Sequence, residues 1–227
     1  MAIIQSELDP TNIARIGSEP AKGLHVISKP LDYDIYGHFN VAVVTGAIGA
    51  AMASDGEVFQ FRWADTIRMA VIQRVWLTGM RASTAFAVGA IDLKLTRATG
   101  WSANGTGGTA LTLSDPELSL RPISMSATMV GDIRVATTAA LGAGTKTLDA
   151  QDMGLVTTHA SAGVGAATPI IGSIYLPQTD LFEARVGDNE HPLVLAANEG
   201  FVVRAVVPAT GVWNLGVAVR WAEVSSF

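Results

Sequence analysis

The sequence predicts an all-β protein, a jelly-roll-like antiparallel β-sandwich with long Gly/Ala/Thr-rich loops and an extended N-terminal arm. Segments in which apolar residues recur at every second position appear along much of the chain, as expected for half-buried strands. Gly and Pro separate these segments at short intervals. No segment keeps the apolar period of an amphipathic helix over three turns. Many short strands separated by turn residues favour a sandwich.

The N-terminal region differs from the remainder. It contains Pro10, Pro20 and Pro30, scattered charges and no sustained periodicity. We therefore predict an extended arm over residues 1–33 and one β-sandwich domain over residues 34–227. The arm is either a disordered tail or a segment that lies across a neighbouring subunit, and the sequence leaves both interpretations open.

The first half of the domain contains four predicted strands and one long loop. The strongest pattern lies in residues 57–63, where Phe59, Phe61 and Trp63 occupy alternate positions and share one face. Strands are expected at residues 39–44, 57–63, 67–77 and 86–99. A glycine-rich loop is expected at residues 100–109.

The second half alternates short strands with segments of small residues. Residues 142–165 are rich in Gly, Ala and Thr and are predicted to be long connecting loops. Residues 208–211, between two clear strands, fit a hairpin turn, so the last two strands are expected to pair with each other. Strands are expected at residues 133–138, 170–176, 193–197, 201–207 and 213–221.

The apolar positions of these strands predict the core. We expect it to contain Phe59, Phe61, Trp63, Val71, Val75, Leu93, Phe201, Val203, Leu215, Val217, Val219 and Trp221.

The composition bears on assembly. Hydrophobic residues make up 49% of the chain and charged residues only 15%, where about 25% charged residues is usual. A large apolar area with few charges predicts that neighbouring subunits cover part of the surface, so we expect a homo-oligomer. A single β domain with a surface of Thr, Ser and Gly is the alternative.

Charge, cysteine content and hydropathy exclude other classes. The net charge is -5 and no run of Lys or Arg occurs, so direct nucleic-acid binding is not expected. The chain contains no Cys, which excludes a disulfide framework. The apolar stretch 41–53 is shorter than the roughly 20 residues that span a bilayer. The N-terminus lacks the features of a signal peptide, so we expect synthesis in a cytoplasm and no membrane partner.

Catalytic motifs fail at particular residues. Residues 41–51 resemble the glycine turn of a dinucleotide-binding fold, but the later glycine is missing and Ser54-Asp55-Gly56 would end the helix that must follow. The glycines of residues 105–110 neither follow a strand nor precede a helix. The four His residues are widely spaced. We therefore expect no catalytic residue, no cofactor and no metal site.

Four residues are candidates for an interface or a ligand loop. Arg62, Arg68 and Arg74 are expected opposite the apolar face of their strands, where they form either a solvated face or ion pairs with a neighbouring subunit. Trp101 lies in the predicted glycine-rich loop and would be able to stack on a sugar ring.

Several packing motifs together resemble a largely uncharacterised family of virion structural proteins from tailed bacteriophages. The similarity runs from about residue 21 to the C-terminus, and its motifs are YGHF (36–39), EVFQFRW (57–63), DIRVATTAAL (132–141), TKTLDA (145–150) and WAEV (221–224). The family has no catalytic or ligand-binding residues to transfer to this chain.

The resemblance implies a non-enzymatic component of a virion made in the bacterial host cytoplasm. A capsid-associated decoration protein is the first expectation, assembling as a homo-oligomer, with a trimer favoured. Its partners would be copies of itself and other virion proteins such as the major capsid protein. The alternatives are a receptor- or glycan-binding module of a tail or head fibre, and a head–tail adaptor or tail protein.

Overall fold

Strands provide all the regular structure in the part of the chain that the computed structural model describes, which is residues 36–49, 52, 54–84, 86–111, 128–160, 176–184, 190–225 and 227. The predicted arm, residues 1–33, lies outside the described residues. Twelve strands occur in the described ranges. They are β1 (Gly37–Val44), β2 (Gly56–Trp63), β3 (Met69–Thr84), β4 (Gly89–Ala103), β5 (Thr109–Ala110), β6 (Val130–Val135), β7 (Thr145–Leu148), β8 (Gly154–Ala160), β9 (Thr179–Glu183), β10 (Leu193–Leu195), β11 (Glu199–Val206) and β12 (Val212–Val224).

The strands form two antiparallel sheets. One has five strands in the order β1-β12-β3-β10, with β9 also paired to β3. The other has seven strands in the order β5-β6-β2-β11-β4-β7, with β8 also paired to β4. The all-β sandwich is therefore confirmed. The first four strands alternate between the two sheets, which is typical of a jelly roll.

Aromatic rings join the two sheets in the core. Phe61 of β2 stacks on Phe201 of β11 at 5.0 Å between ring centroids. On its other side it meets the edge of Trp221 of β12 at 5.3 Å, and Trp221 stacks on Phe39 of β1 at 5.5 Å. Each such pair contributes about 0.5–1.5 kcal/mol beyond the area that it buries. The four rings thus link β2 and β11 of one sheet to β1 and β12 of the other.

All twelve residues predicted for the core are fully buried. Eleven of them lie in the main cluster between the sheets. Val71 is the exception, since it packs with Ala222 and Val224 in a separate cluster. Its neighbours Ala70 and Ile72 belong to the main cluster instead, as the alternation of side chains along β3 requires.

The predicted hairpin between the last two strands is wrong. β11 lies in the seven-stranded sheet and β12 in the five-stranded sheet, so residues 208–211 cross from one sheet to the other. Gly211 has a φ of 125° and packs against Phe86, whose ring would lie 2.8 Å from an added Cβ. Residues 208–211 therefore form a connection between the two sheets, although their residue types also suit a hairpin turn.

The segment of small residues at 142–165 was also predicted wrongly as loop only. It contains β7 and β8, both of which pair with β4. Val156 of β8 packs against the main core, and Thr157 donates a hydrogen bond to Asp92 at 2.9 Å. Residues 161–175 lie outside the described residues, and so does all of the predicted strand 170–176 except Leu176, which forms an isolated bridge with Met80.

Candidate interaction surface

The outer face of the seven-stranded sheet carries a network of paired charges. Arg204 of β11 lies 2.7 Å from Asp152 and 3.1 Å from Asp55. Lys94 of β4 also pairs with Asp55, at 2.8 Å. Thr96 connects the network, since its hydroxyl donates to Asp152 at 2.5 Å and accepts from Arg204 at 2.9 Å. The charges of Lys94 and Arg204 are therefore neutralised by carboxylates of the same chain.

The Asp152 carboxyl reflects this pairing. Partial burial by itself raises its pKa, but the hydrogen bonds from Thr96 and Arg204 and the charges of Arg204 and Lys94 outweigh that effect. The pKa of Asp152 is therefore held below its ordinary value. Asp152 is therefore ionised at neutral pH.

Trp101 is not a ligand platform. β4 continues to Ala103, beyond the predicted strand end, so Trp101 lies on a strand and is fully buried. It packs with Ala98 and Val202, and its indole nitrogen donates to the carbonyl of Ala103 at 3.0 Å. The prediction that its ring is available to a sugar is wrong.

The outer face of the five-stranded sheet is built differently. Strand register places Ala42, Ala218 and Trp76 in one row across β1, β12 and β3. Arg220 and Arg74 lie in the next row, with their guanidinium carbons 6.0 Å and 4.8 Å from the Trp76 ring centroid. Trp76 thus presents a half-buried aromatic ring between two cations, beside small residues that keep the face flat.

Arg74 is paired within this face. Its guanidinium donates to both carboxylate oxygens of Asp180, at 2.6 Å and 3.0 Å, and lies 3.7 Å from Glu183. The hydrogen bond with Asp180 raises the pKa of Arg74, and partial burial offsets part of that rise. By contrast, no described residue forms an ion pair with Arg220, which is exposed at the surface.

A shallow cleft of about 320 Å³ opens on the same sheet. It is lined by Val44, Thr78, Gly79, Met80, Arg81, Asn214 and Gly216. Gly79 and Gly216 are cross-strand partners, and the Thr78 hydroxyl occupies the space beside Gly216, where an added Cβ would lie 2.0 Å from it. Val44 is 57% exposed, and Arg81 is exposed without an ion pair to any residue within the described ranges. We refer to the cleft together with Trp76, Arg81 and Arg220 as the five-stranded face.

The three arginines predicted from the sequence do not form one patch. Arg62 belongs to the seven-stranded sheet and donates to Asn104. Arg68 precedes β3 and lies 3.3 Å from Glu223. Only Arg74 lies on the five-stranded face. All three have polar partners within the chain, but no ion pair of Arg62 is found among the described residues and its Nε is buried without a hydrogen bond.

Glu223 was missed by the sequence predictions. It is fully buried near the end of β12 and accepts hydrogen bonds from the Thr128 hydroxyl at 2.5 Å and the Met129 amide at 3.0 Å. Arg68 supplies the opposing charge and stacks over the Tyr36 ring at 3.9 Å. The only sequence signal was an acidic residue within the apolar WAEV segment.

The described part of the chain contains neither a candidate metal site nor a candidate membrane-spanning helix. No group of three His, Asp or Glu side chains in the described ranges is arranged to hold a metal ion. Over those residues there is also no helix with the length and hydropathy needed to cross a membrane.

Comparison with known proteins gave no match to a family model, to a curated protein or to a solved structure. The resemblance to virion proteins therefore stays a prediction.

Proposed function

We propose that the protein is a non-enzymatic structural component of a tailed-phage particle, of the capsid-associated decoration type, and that it assembles as a homo-oligomer through the five-stranded face. The observation that carries the proposal is the contrast between the two outer faces. Lys94, Arg97 and Arg204 on the seven-stranded sheet are paired with carboxylates within the chain. The five-stranded face presents Arg81 and Arg220 without carboxylate partners among the described residues.

The residue types on the five-stranded face suit an interface. Trp and Arg are enriched among the residues that dominate binding energy at protein interfaces. Trp76 already lies near the guanidinium groups of Arg74 and Arg220, and the cleft of about 320 Å³ on the same sheet can accept a side chain from a partner. Covering this face also accounts for the low charged fraction of the chain, 15%.

Charge favours another copy of the chain as the occupant. The chain carries five more acidic than basic residues, since it has 20 acidic and 15 basic residues, so an arginine-bearing face is complementary to the rest of its surface. A two-fold contact would instead place the arginines of the two copies near each other, and like charges repel. A contact between two different patches produces a ring when its rotation closes, and the smallest such ring larger than a dimer is a trimer.

The position on a particle rests on the sequence resemblance together with this geometry. A trimer of β-sandwiches is a suitable unit for decorating a shell, where symmetry repeats modest contacts many times. The expected partners are other copies and the major capsid protein, and the expected location is the virion, after synthesis in the bacterial host cytoplasm.

Light scattering on the full-length protein after gel filtration tests the assembly. We expect a trimer whose dissociation constant rises on the order of tenfold or more in Arg220→Glu and in Arg81→Glu, because each change places like charges together. Arg97→Glu is the control, since it makes the same charge change on the seven-stranded sheet and should leave the trimer intact. A monomeric wild type would refute the proposal, and so would equal dissociation of all three variants.

The place on the particle needs a separate measurement. Quantitative mass spectrometry of purified phage should detect the protein in numbers comparable to the major capsid protein. A few copies per particle would instead indicate a head–tail adaptor or a fibre, and absence from the particle would contradict the virion role.

A further inference from the structure

Three polar side chains meet on the outer side of the seven-stranded sheet. The Lys146 Nζ lies 2.8 Å from Glu57 Oε2, with the lysine side chain 2% exposed and the glutamate side chain 7% exposed. The Gln60 Nε2 donates to the same oxygen at 2.5 Å, and Gln60 is 1% exposed. The Lys146 amine and the Gln60 carboxamide therefore contact the same carboxylate oxygen of Glu57, in a site closed to solvent.

The surroundings fix the carboxamide in place. The Gln60 Nε2 also donates to the carbonyl of Gly142 at 3.1 Å. Gly105 leaves the room that the side chain occupies, because a Cβ there would lie 2.0 Å from Gln60 Oε1. The Trp101 ring closes the site, with its centroid 4.7 Å from Lys146 Nζ.

The Gln60 carboxamide is not needed for the ion pair between Lys146 and Glu57. Lys146 and Glu57 would attach β7 to the sheet by themselves, and the Lys146 amine also donates to the Ala143 carbonyl. The Gln60 carbonyl oxygen, however, is buried without a hydrogen-bond donor. Since buried polar atoms are nearly always satisfied, an unsatisfied one that lies beside a nucleophile and a proton carrier requires an explanation.

We propose that Lys146 and Gln60 become joined by an amide bond within the chain. Glu57 accepts a proton from the Lys146 ammonium group, and the neutral amine attacks Gln60 Cδ. Glu57 then passes this proton to the departing Gln60 nitrogen, which leaves as ammonia, and takes up a second proton from the former Lys146 amine, so that a neutral amide and a protonated Glu57 remain. A bond forms between Nζ and Cδ while the bond between Cδ and Nε2 breaks, so no oxidant or other reactant is needed.

The geometry favours this reaction. Both nitrogens are held on one carboxylate oxygen, which keeps the amine and the carboxamide close together and removes the need for an encounter between separate groups. The product would tie β2 to β7 and constrain the unfolded chain as a disulfide does, in a protein that has no Cys.

The intact mass of the full-length wild type decides the proposal. We expect a mass lower than that of the sequence by one molecule of ammonia, and a proteolytic product in which the peptides bearing Gln60 and Lys146 are joined. Lys146→Arg keeps the positive charge but removes the nucleophile, and Glu57→Gln removes the proton carrier, so both should show the full mass. Circular dichroism checks that each variant is folded. A wild type at the full mass would overturn the proposal whatever the variants do.

Asn104-Gly105 provides a competing source of the same mass loss. An Asn–Gly sequence can lose ammonia by closing onto its own backbone, but that product is linear, so digestion yields no joined peptides. It would also persist in Lys146→Arg, in which the proposed bond cannot form. Equal mass loss in the wild type and in Lys146→Arg would therefore count against the cross-link.

Discussion

Replacing Trp221 by Ala removes the ring through which the two sheets contact each other. The indole is fully buried, stacks on Phe39 at 5.5 Å and presents its edge to Phe61 at 5.3 Å. Its nitrogen lies 3.4 Å from Glu223. The substitution thus loses contacts with both sheets at once.

The expected loss is large compared with the stability of a domain. Truncating a buried Trp to Ala costs about 3–5 kcal/mol, which includes the cavity that remains. The two aromatic pairs, each worth about 0.5–1.5 kcal/mol, place Trp221→Ala toward the upper end of that range. Domains are commonly stable by about 5–15 kcal/mol, so the variant should fold but with much of its margin removed.

Urea unfolding followed by far-UV circular dichroism measures the change in the free energy of unfolding. All samples need the same protein concentration, because assembly shifts apparent stability. Leu155→Ala is the control, since Leu155 is 59% exposed and belongs to the seven-stranded sheet, away from the proposed interface. It should change the free energy of unfolding by only about 0.5 kcal/mol or less. A loss below about 1 kcal/mol for Trp221→Ala, or equal losses for both variants, would refute the assignment of the core.

Two further predictions concern charged residues. Glu223→Ala removes a fully buried carboxylate that pairs with Arg68 and accepts hydrogen bonds from Thr128 and Met129, and thermal unfolding should report a loss of about 3–5 kcal/mol; an unchanged midpoint would contradict the role of this carboxylate. Asp152→Asn tests the pH dependence of stability. The pKa of Asp152 is lower in the folded protein than its ordinary value of 3.8, so its carboxylate stabilises the fold at a pH above 3.8. This stabilisation is lost as the pH falls through the lower folded-state pKa. The difference in unfolding free energy between wild type and Asp152→Asn should therefore shrink toward zero below that pH, and a difference that stays constant down to acid unfolding would exclude this assignment.

Burial was the property that the sequence predicted best. Phe59, Phe61 and Trp63 were assigned to one face from their alternation alone, and all three are fully buried. Side-chain alternation is a local consequence of strand geometry, so a short window contains the information. Even so, alternation does not decide which side of a sheet is the core when both sides are apolar. Val71 shows this, because it is buried on the opposite side from Ile72.

Strand partners were predicted less well because pairing is not local. A turn of Pro, Thr and Gly suits both a hairpin and a crossing between sheets, and residues 208–211 form the crossing. Similarly, β8 is built from residues that also suit loops, such as Gly154 and Thr157. It becomes a strand because the edge of β4 offers hydrogen bonds to it.

The candidate surface had the weakest sequence signal. Arg74, Arg204 and Arg220 all lie in strands. Arg74 and Arg204 form ion pairs with carboxylates from distant segments, whereas Arg220 forms none with any described residue. The sequence separation between Arg74 and Asp180, or between Arg204 and Asp55, gives no indication of the pairing. Which cation remains unpaired depends on the loops that reach each face, and this is settled only when the whole fold forms.

The contrast between the outer faces also constrains how a subunit would be oriented in an assembly. A surface ion pair contributes only about 0–1 kcal/mol, so stability alone explains little of the network around Arg204. Its main effect is to neutralise the cations of the seven-stranded sheet, which leaves that face polar and weakly attractive to acidic neighbours. Arg81 and Arg220 are exposed on the opposite face and form no ion pair within the described part of the chain. A ring built on that contact would turn the seven-stranded sheet, with its paired charges, toward solvent.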